Sequence, residues 1–436
     1  MTGRAHPAQI ERLLELVSPR IGLVRQLARV ERAPDEPQPP VLYAATLCNF
    51  DFKRAPAIER GAAGKGLTES DAIGGAIGEA VERYCASHVD RQRLHRTMLR
   101  DAPAGAVLPQ DCVLYSDAQY QRPDFPHQRP SPELEIDWMR ATELPEGRET
   151  WVPAVAVYMH GNNVMPGDTL FTPTSSGLAA GPTVEDAVRN GLCELIERDA
   201  FLVMWMNRLA VPMLALDGSD GPLAAIAEHY ARFGIALHLF DVTTDIGIPV
   251  VMALALAGDA PGPAAVVGLG CHLDPHAAAL RAAFEVCQVR PSHTQRQATR
   301  TLAAADVRGI EDHSAFFAQR SALPELDFLL QTKRRRRLAD LDNRATGDTA
   351  EDLATCVAAL RRVGCRVLYT GLTTPDLADY PIHVVRTLAT GLQPIHFGDG
   401  LARLGGARLY EAAARMAPDR PPGREEDLNP CPHPLA

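Results

Sequence analysis

The chain has 436 residues, of which 46% are hydrophobic and 22% charged, and it carries a formal net charge of −10. That size and balance suit a soluble globular protein with a sizeable core, as one large composite domain or two to three smaller ones. The acidic excess excludes a general nucleic-acid binder, which would be basic, but leaves a nucleotide open, because a metal ion can bridge acidic side chains to phosphates.

No apolar run near the start suits a signal peptide, and none anywhere reaches the roughly eighteen residues of a membrane span. The nine cysteines are scattered from Cys48 to Cys431 without a Cys-x-x-Cys pair or zinc-like spacing, which fits reduced thiols in a cytoplasmic protein.

In chain order, Ile10, Leu13, Leu14 and Val17, then Ile21, Val24 and Leu27, recur at helical spacing. They predict an amphipathic helix over residues 8–30, broken or kinked at Pro19. The stretch from Ala33 to Pro40 is a proline-rich linker by composition, so the ordered body is expected from Val41. Residues 1–40 are then an N-terminal helix and linker, 41–417 the main domain and 418–436 a proline-rich tail. Further strands are predicted at 248–256 and 264–270, joined as a hairpin through Gly258–Pro263, and at 366–370 and 383–388. A helix is predicted over 349–363. Lys333-Arg-Arg-Arg-Arg337 reads as a solvated charge run or a dock for an acidic partner. This alternation predicts an α/β or α+β fold.

The informative feature is a helix written three times. Asp71 to Arg83 and Asp186 to Arg198 each place two glutamates three residues apart, followed at once by an arginine: Glu79, Glu82, Arg83 and Glu194, Glu197, Arg198. The third copy, Ala277 to Gln288, keeps Glu285, has Gln288 in the second position, and puts Arg281 one turn earlier. Residues three apart share a helix face. Ile73, Ile77 and Val81, like Val188, Leu192 and Ile196, form an apolar stripe on the other side. An alanine (Ala72, Ala187, Ala278) precedes the first glutamate by the same offset in every copy, which places the copies in register. One such pair on an exposed helix means solvent and a weak ion pair. Two matching pairs on otherwise apolar helices imply buried carboxylates, which are unfavourable unless neutralised. Oxygen-rich sites suit Mg²⁺, and Arg83, Arg198 and Arg281 offer charge for a triphosphate. Gly75 and Gly78 on the acidic face leave room for close approach.

Gly61-Ala-Ala-Gly-Lys-Gly-Leu-Thr68 leads into the first copy and is not a P-loop: Gly66 follows Lys65, and Glu59 stands where a glycine is needed. Its backbone can still wrap phosphate. Ser175 and Ser176 precede the second copy, either as a Ser/Gly turn leading into a helix capped by Thr183 or as a polar loop facing the same ligand as Glu194. Gly-x-Ser-x-Gly and His-Glu-x-x-His are absent.

These blocks resemble the YcaO family: Gly64-Lys-Gly66 with Glu79-Ala-Val-Glu82-Arg-Tyr84, Thr174 to Gly181 with Glu194-Leu-Ile-Glu197-Arg-Asp-Ala200, and Gly268-Leu-Gly270 with Arg281 to Gln288. The resemblance covers about residues 45–436 and implies an ATP-binding fold unlike P-loop or kinase folds. It implies that Glu79, Glu82, Glu194 and Glu197 hold Mg²⁺, and that Lys65, Arg198, Arg281 and Glu285 contact the nucleotide. The family usually has a serine where this chain has Gly75. The ending Leu428-Asn-Pro-Cys-Pro-His-Pro-Leu-Ala436 resembles that of azoline-forming members, which cyclise Cys, Ser or Thr of ribosomal precursor peptides with ATP. It implies an inserted arm whose terminal carboxylate, here on Ala436, serves as a base, with His433 as a second catalytic candidate. The resemblance further implies a separate E1-like partner that binds the leader peptide, and a homodimer. Thioamide or amidine formation and a non-catalytic peptide-binding scaffold are the alternatives.

Overall fold

Each repeated helix follows a short glycine-bearing strand, and the fold is organised around these strand–helix units. The computed structural model describes residues 7–48, 61–159, 165–217, 220–296, 301–418 and 423–435. Strands β1 (Val24–Arg29), β2 (Val41–Leu47) and β3 (Gly61–Gly66) form an antiparallel sheet, and β3 leads into the first long helix, Glu69–Ser87. Strands β4 (Leu94–Met98), β5 (Glu135–Leu144), β6 (Arg148–Pro153) and β7 (Leu178–Gly181) begin a second sheet, and β7 leads into the second long helix, Val184–Met206. A third sheet takes β8 (Met213–Ala215), β9 (Ala236–Asp241), β10 (Val250–Leu256), β11 (Ala265–Cys271) and β12 (Arg335–Arg337) in the order β11-β10-β9-β8-β12. From β11 the chain enters the third long helix, Pro275–Arg296. It then returns to the second sheet with β13 (Val367–Gly371) and β14 (His383–Ala389), giving the order β4-β5-β13-β14-β7 with β6 on β5. The fold is mixed α and β, as the alternation predicts.

The in-register alanines have a packing reason. Ala72, Ala187 and Ala278 are each 0% exposed, with the preceding strand lying against them. A Cβ on Gly64 would fall 1.9 Å from the Ala72 carbonyl oxygen, and one on Gly270 2.1 Å from that of Ala278. A Cβ on Gly181 would fall 2.5 Å from the Ala187 nitrogen. Backbone thus touches backbone at each unit, which only glycine facing alanine permits. Thr68 and Thr183 cap the first two helices by accepting from the Asp71 and Asp186 N–H groups.

The hairpin of β10 and β11, the strands β13 and β14 and the helix Thr349–Arg362 match the sequence expectation. The N-terminal segment does not. Only Pro7–Leu14 is helical, and Val24–Arg29 is a strand. The helix ends at Leu14, already short of Pro19, and pairing with β2 satisfies the backbone that a continued helix would have bonded internally. Because β1 and β2 share a sheet, position 40 is not a boundary in the structure. The linker is docked too: Glu36 is 4% exposed and accepts from Arg290 of the third long helix at 2.5 Å. The basic run is exposed, and two of its five residues are met by the chain's own acids, Arg336 by Asp241 at 2.7 Å and Arg337 by Asp340 at 2.6 Å.

The main core surrounds the second long helix, where Phe201, Val203 and Trp205 are fully buried. The tail packs into it. The Asn429 N–H donates to the Met206 carbonyl at 2.7 Å, Trp205 Nε1 donates to the Cys431 carbonyl at 3.1 Å, and Leu435 is buried. All nine cysteines are free. No helix among the described residues is long and apolar enough to cross a membrane.

Candidate functional site

The acidic faces of the three long helices meet around one cavity of about 620 Å³. The first glutamate of each copy is held the same way, by a backbone N–H of the segment preceding its own helix. Ala63 donates to Glu79 at 2.7 Å, Gly177 to Glu194 at 3.1 Å and Leu269 to Glu285 at 2.8 Å. Each bond turns a carboxylate toward the shared space and fixes its rotamer. Glu82 reaches across units to accept from the Ala180 N–H of β7 at 2.6 Å, tying the first unit to the second. Glu285, not Gln288, is therefore the counterpart of Glu79 and Glu194.

Eight of the expected residues line this cavity. The carboxylates Glu79, Glu82, Glu194, Glu197 and Glu285 are there, with Lys65, Arg198 and Arg281 as the cations. Arg198 lies 3.8 Å from Glu194 and 3.6 Å from Glu197, and Arg281 donates to the Cys271 carbonyl at 3.0 Å. The charge is not balanced. Burial pushes the Glu82 carboxyl up to about 8, with Glu79 and Glu194 adding to the rise and the Ala180 N–H opposing it. Burial likewise raises Glu197 to about 7, opposed by Arg198 and reinforced by Glu285 and Glu194. Glu194 is raised by burial against Arg198. Carboxylates held this far above their usual range favour an added cation or a proton. Among the described residues no three His, Cys, Asp or Glu side chains form a ready metal cage. The donor set is instead carboxylates beside free volume and basic groups, which fits Mg²⁺ held through a few carboxylates, waters and phosphate oxygens.

Several expected residues lie elsewhere. Arg83 is four residues past Glu79 and donates to it at 2.6 Å, and it is not in the lining. Ser175 is exposed at a turn closed by its carbonyl with the Leu178 N–H, so the loop reaches the site through its backbone at Gly177. His433 is buried in an aromatic cluster, its ring 4.2 Å from that of His313 and its Nε2 2.6 Å from the His396 carbonyl. It does not line the cavity. Ala436 lies outside the described residues. Gly75, by contrast, does line the cavity and also abuts β3: a Cβ there would sit 3.2 Å from the Gly64 Cα.

One residue at the site was not singled out from the sequence. Arg386 on β14 is 1% exposed and donates to the Val157, Thr174 and Ser176 carbonyls, so it pins the loop that delivers the Gly177 N–H to Glu194. Burial lowers its guanidinium to about 10, and Glu194 and Glu82 oppose the shift. The available signal was a lone arginine in the apolar strand His383 to Leu388, where a buried charge requires partners.

The architecture and site define a nucleotide-binding fold of the non-P-loop kind. A sequence model of the YcaO family, described as YcaO cyclodehydratase, ATP- and Mg²⁺-binding, matches residues 63–393. The chain belongs to the YcaO family, whose cofactors are ATP and Mg²⁺. It is 29% identical over 351 residues to an uncharacterized protein of Methanothermobacter thermautotrophicus, covering 78% of this chain and 84% of that protein. Among solved structures it is similar to a heterocyclase in complex with substrate and cofactor, at 25% identity and TM-score 0.81, over 98% of this chain and 57% of that one. It is also similar to the heterocyclase TruD, at 26% identity and TM-score 0.66, over 85% of this chain and 51% of that one. The chain thus spans only about half the length of these two heterocyclases.

Proposed function

We propose that this protein is an ATP- and Mg²⁺-dependent cyclodehydratase that forms thiazoline or oxazoline rings from Cys, Ser or Thr of a ribosomal precursor peptide, acting in the cytoplasm. The observation that carries this reading is the single cavity in which the acidic faces of three helices meet Lys65, Arg198 and Arg281. ATP, when bound, supplies the phosphoryl group that turns the amide oxygen of the cyclising residue into a leaving group. Glu79, Glu82, Glu194 and Glu197 are the residues to hold Mg²⁺, whose charge favours the ionised forms of Glu82, Glu194 and Glu197 that burial disfavours. Lys65, Arg198 and Arg281 supply positive charge for phosphate oxygens, and Glu285 lines the same cavity as a further nucleotide contact. The buried tail gives the second helix a fixed end, so its two glutamates are presented on a rigid element.

The reading includes an E1-like protein that binds the leader and delivers the peptide, which rests on family likeness. The homodimer rests on family likeness. A non-catalytic peptide-binding scaffold is the second reading, and Gly75, where the family usually has a serine, is the residue that favours it. The test is mass spectrometry of a Cys/Ser/Thr-rich precursor incubated with this protein, its partner and Mg·ATP. The expected product has lost one water per ring with ATP consumed in step. An unmodified peptide and unspent ATP would remove this reading.

A further inference from the structure

Strand β12 is an outer strand of the third sheet: β8 pairs it on one side, and no strand among the described residues pairs it on the other. It carries most of the basic run, and Lys333 to Arg337 are all exposed. Asp241 and Asp340 pair with Arg336 and Arg337. Lys333, Arg334 and Arg335 have no acid partner among the described residues. Arg334 donates to the Ala210 carbonyl, and Arg335 to the Thr332 and Arg334 carbonyls. The backbone edge is open as well. The Met213 N–H of β8 donates to the Arg334 carbonyl at 3.0 Å. In a trans peptide the carbonyl and the following N–H point opposite ways, so the Arg335 N–H faces outward, away from β8. A positive, unpaired strand edge thus stands on a chain whose net charge is −10.

We propose that this edge docks an extended acidic stretch of the peptide substrate, added as a further strand beside β12 with its Asp or Glu side chains against Lys333, Arg334 and Arg335. Main-chain hydrogen bonds give such an addition affinity, and charge complementarity gives it specificity. A second copy of the chain does not suit the edge, because pairing two β12 strands sets arginine against arginine. A folded partner does not suit it either. A stable interface between folded proteins has an apolar centre, and no large apolar side chain is exposed on β8 or between residues 331 and 343. The position fits a substrate. Strands β12 and β11 are the two outer strands of the sheet, about 19 Å apart at about 4.8 Å per strand, and Leu269 of β11 lines the large cavity. An extended chain covers that distance with roughly six residues, so one part of the substrate is held while another lies at the carboxylates. The proposal rests on the peptide-modifying function argued above and adds where this chain itself grips the substrate, away from the residues that react.

The test uses the full chain and a fluorescein-labelled Thr-Glu-Val-Glu-Thr-Glu-Val-Glu peptide in fluorescence anisotropy, with Mg·AMPPNP binding followed in parallel by calorimetry. Three further probes are the same peptide with Lys for Glu, the same peptide with alternate backbone nitrogens methylated, and oligouridylate. The wild type is expected to bind the Glu peptide and to bind the Lys and methylated peptides about tenfold more weakly or worse. The double variant Lys333→Glu, Arg335→Glu is expected to lose the Glu peptide by a like factor, with unchanged circular dichroism and unchanged Mg·AMPPNP affinity. The methylated peptide decides on the wild type alone, because it keeps the charge and loses the strand pairing. Equal affinity for the Glu and methylated peptides, equal affinity of wild type and variant for the Glu peptide, or tighter binding of oligouridylate than of the Glu peptide overturns the dock. Glu-peptide binding with these preferences but no Mg·AMPPNP binding keeps the acidic-peptide edge and overturns the enzyme function. Mg·AMPPNP binding without Glu-peptide binding overturns the dock alone.

Discussion

At the scale of single residues, the site is a set of buried carboxylates whose geometry is fixed by backbone and whose charge is left to a ligand. Glu194 shows both halves. The Gly177 N–H can donate to a carboxylate or to an amide oxygen, so Glu194→Gln keeps the hydrogen bond and loses the charge. The variant is expected to fold with unchanged circular dichroism and to bind Mg·ATP at least thirtyfold more weakly by calorimetry, about 2 kcal/mol for one charged contact. Unchanged affinity would take Glu194 out of the metal site. The glutamates were legible because spacing and stripe are local properties of a helix. Arg386 was not, because its partners Val157, Thr174 and Ser176 are far away in sequence and only the fold brings their carbonyls to it.

At the scale of elements, the strand–helix unit repeats because glycine faces alanine at each crossing. Gly270→Ala would drive a Cβ to 2.1 Å from the Ala278 carbonyl oxygen, so β11 and the third helix must part. Overpacking of this kind costs about 1–3 kcal/mol or more. Gly371→Ala has nothing within 4 Å of the new Cβ and serves as control. Urea melts are expected to show a clear loss for Gly270→Ala and a change within about 0.5 kcal/mol for the control. The repeat was readable from the shared alanine offset. The strand β1 was not: Val24 and Leu27 satisfy a helical period over a short run, and pairing with β2 decides between the two.

The tail is the other element with a measurable signature. Burial lowers His313, His433 and His396, the last to about 3, from an ordinary value near 6.5. These rings are therefore neutral in the folded chain over a range where the unfolded chain is protonated. The neutral cluster contributes its full stability above about pH 6.5, and that stability is lost as pH falls from there toward 3. The slope is at most about 1.4 kcal/mol per pH unit for each histidine. His396→Phe is expected to flatten the fall in stability between pH 6.5 and 5 in urea melts, and an identical slope would show that His396 titrates alike folded and unfolded. The proline-rich composition of this segment suggested an extended arm, and Trp205, Met206 and Phe201 supply the surface against which it is ordered.

At the scale of the whole molecule, three units from distant parts of the chain each contribute one backbone-held glutamate to a single cavity, and Glu82 ties two of the units together. The sequence carried each wall separately, in residues repeated at matching offsets. This assembled cavity is the proposed seat of Mg·ATP. The most direct measurement is a crystal structure of the full chain grown with Mg²⁺ and AMPPNP. Triphosphate density is expected between Lys65, Arg198 and Arg281, with Mg²⁺ bound by carboxylates among Glu79, Glu82, Glu194 and Glu197. Nucleotide bound elsewhere, or a cavity filled only by solvent at saturating nucleotide, would contradict it.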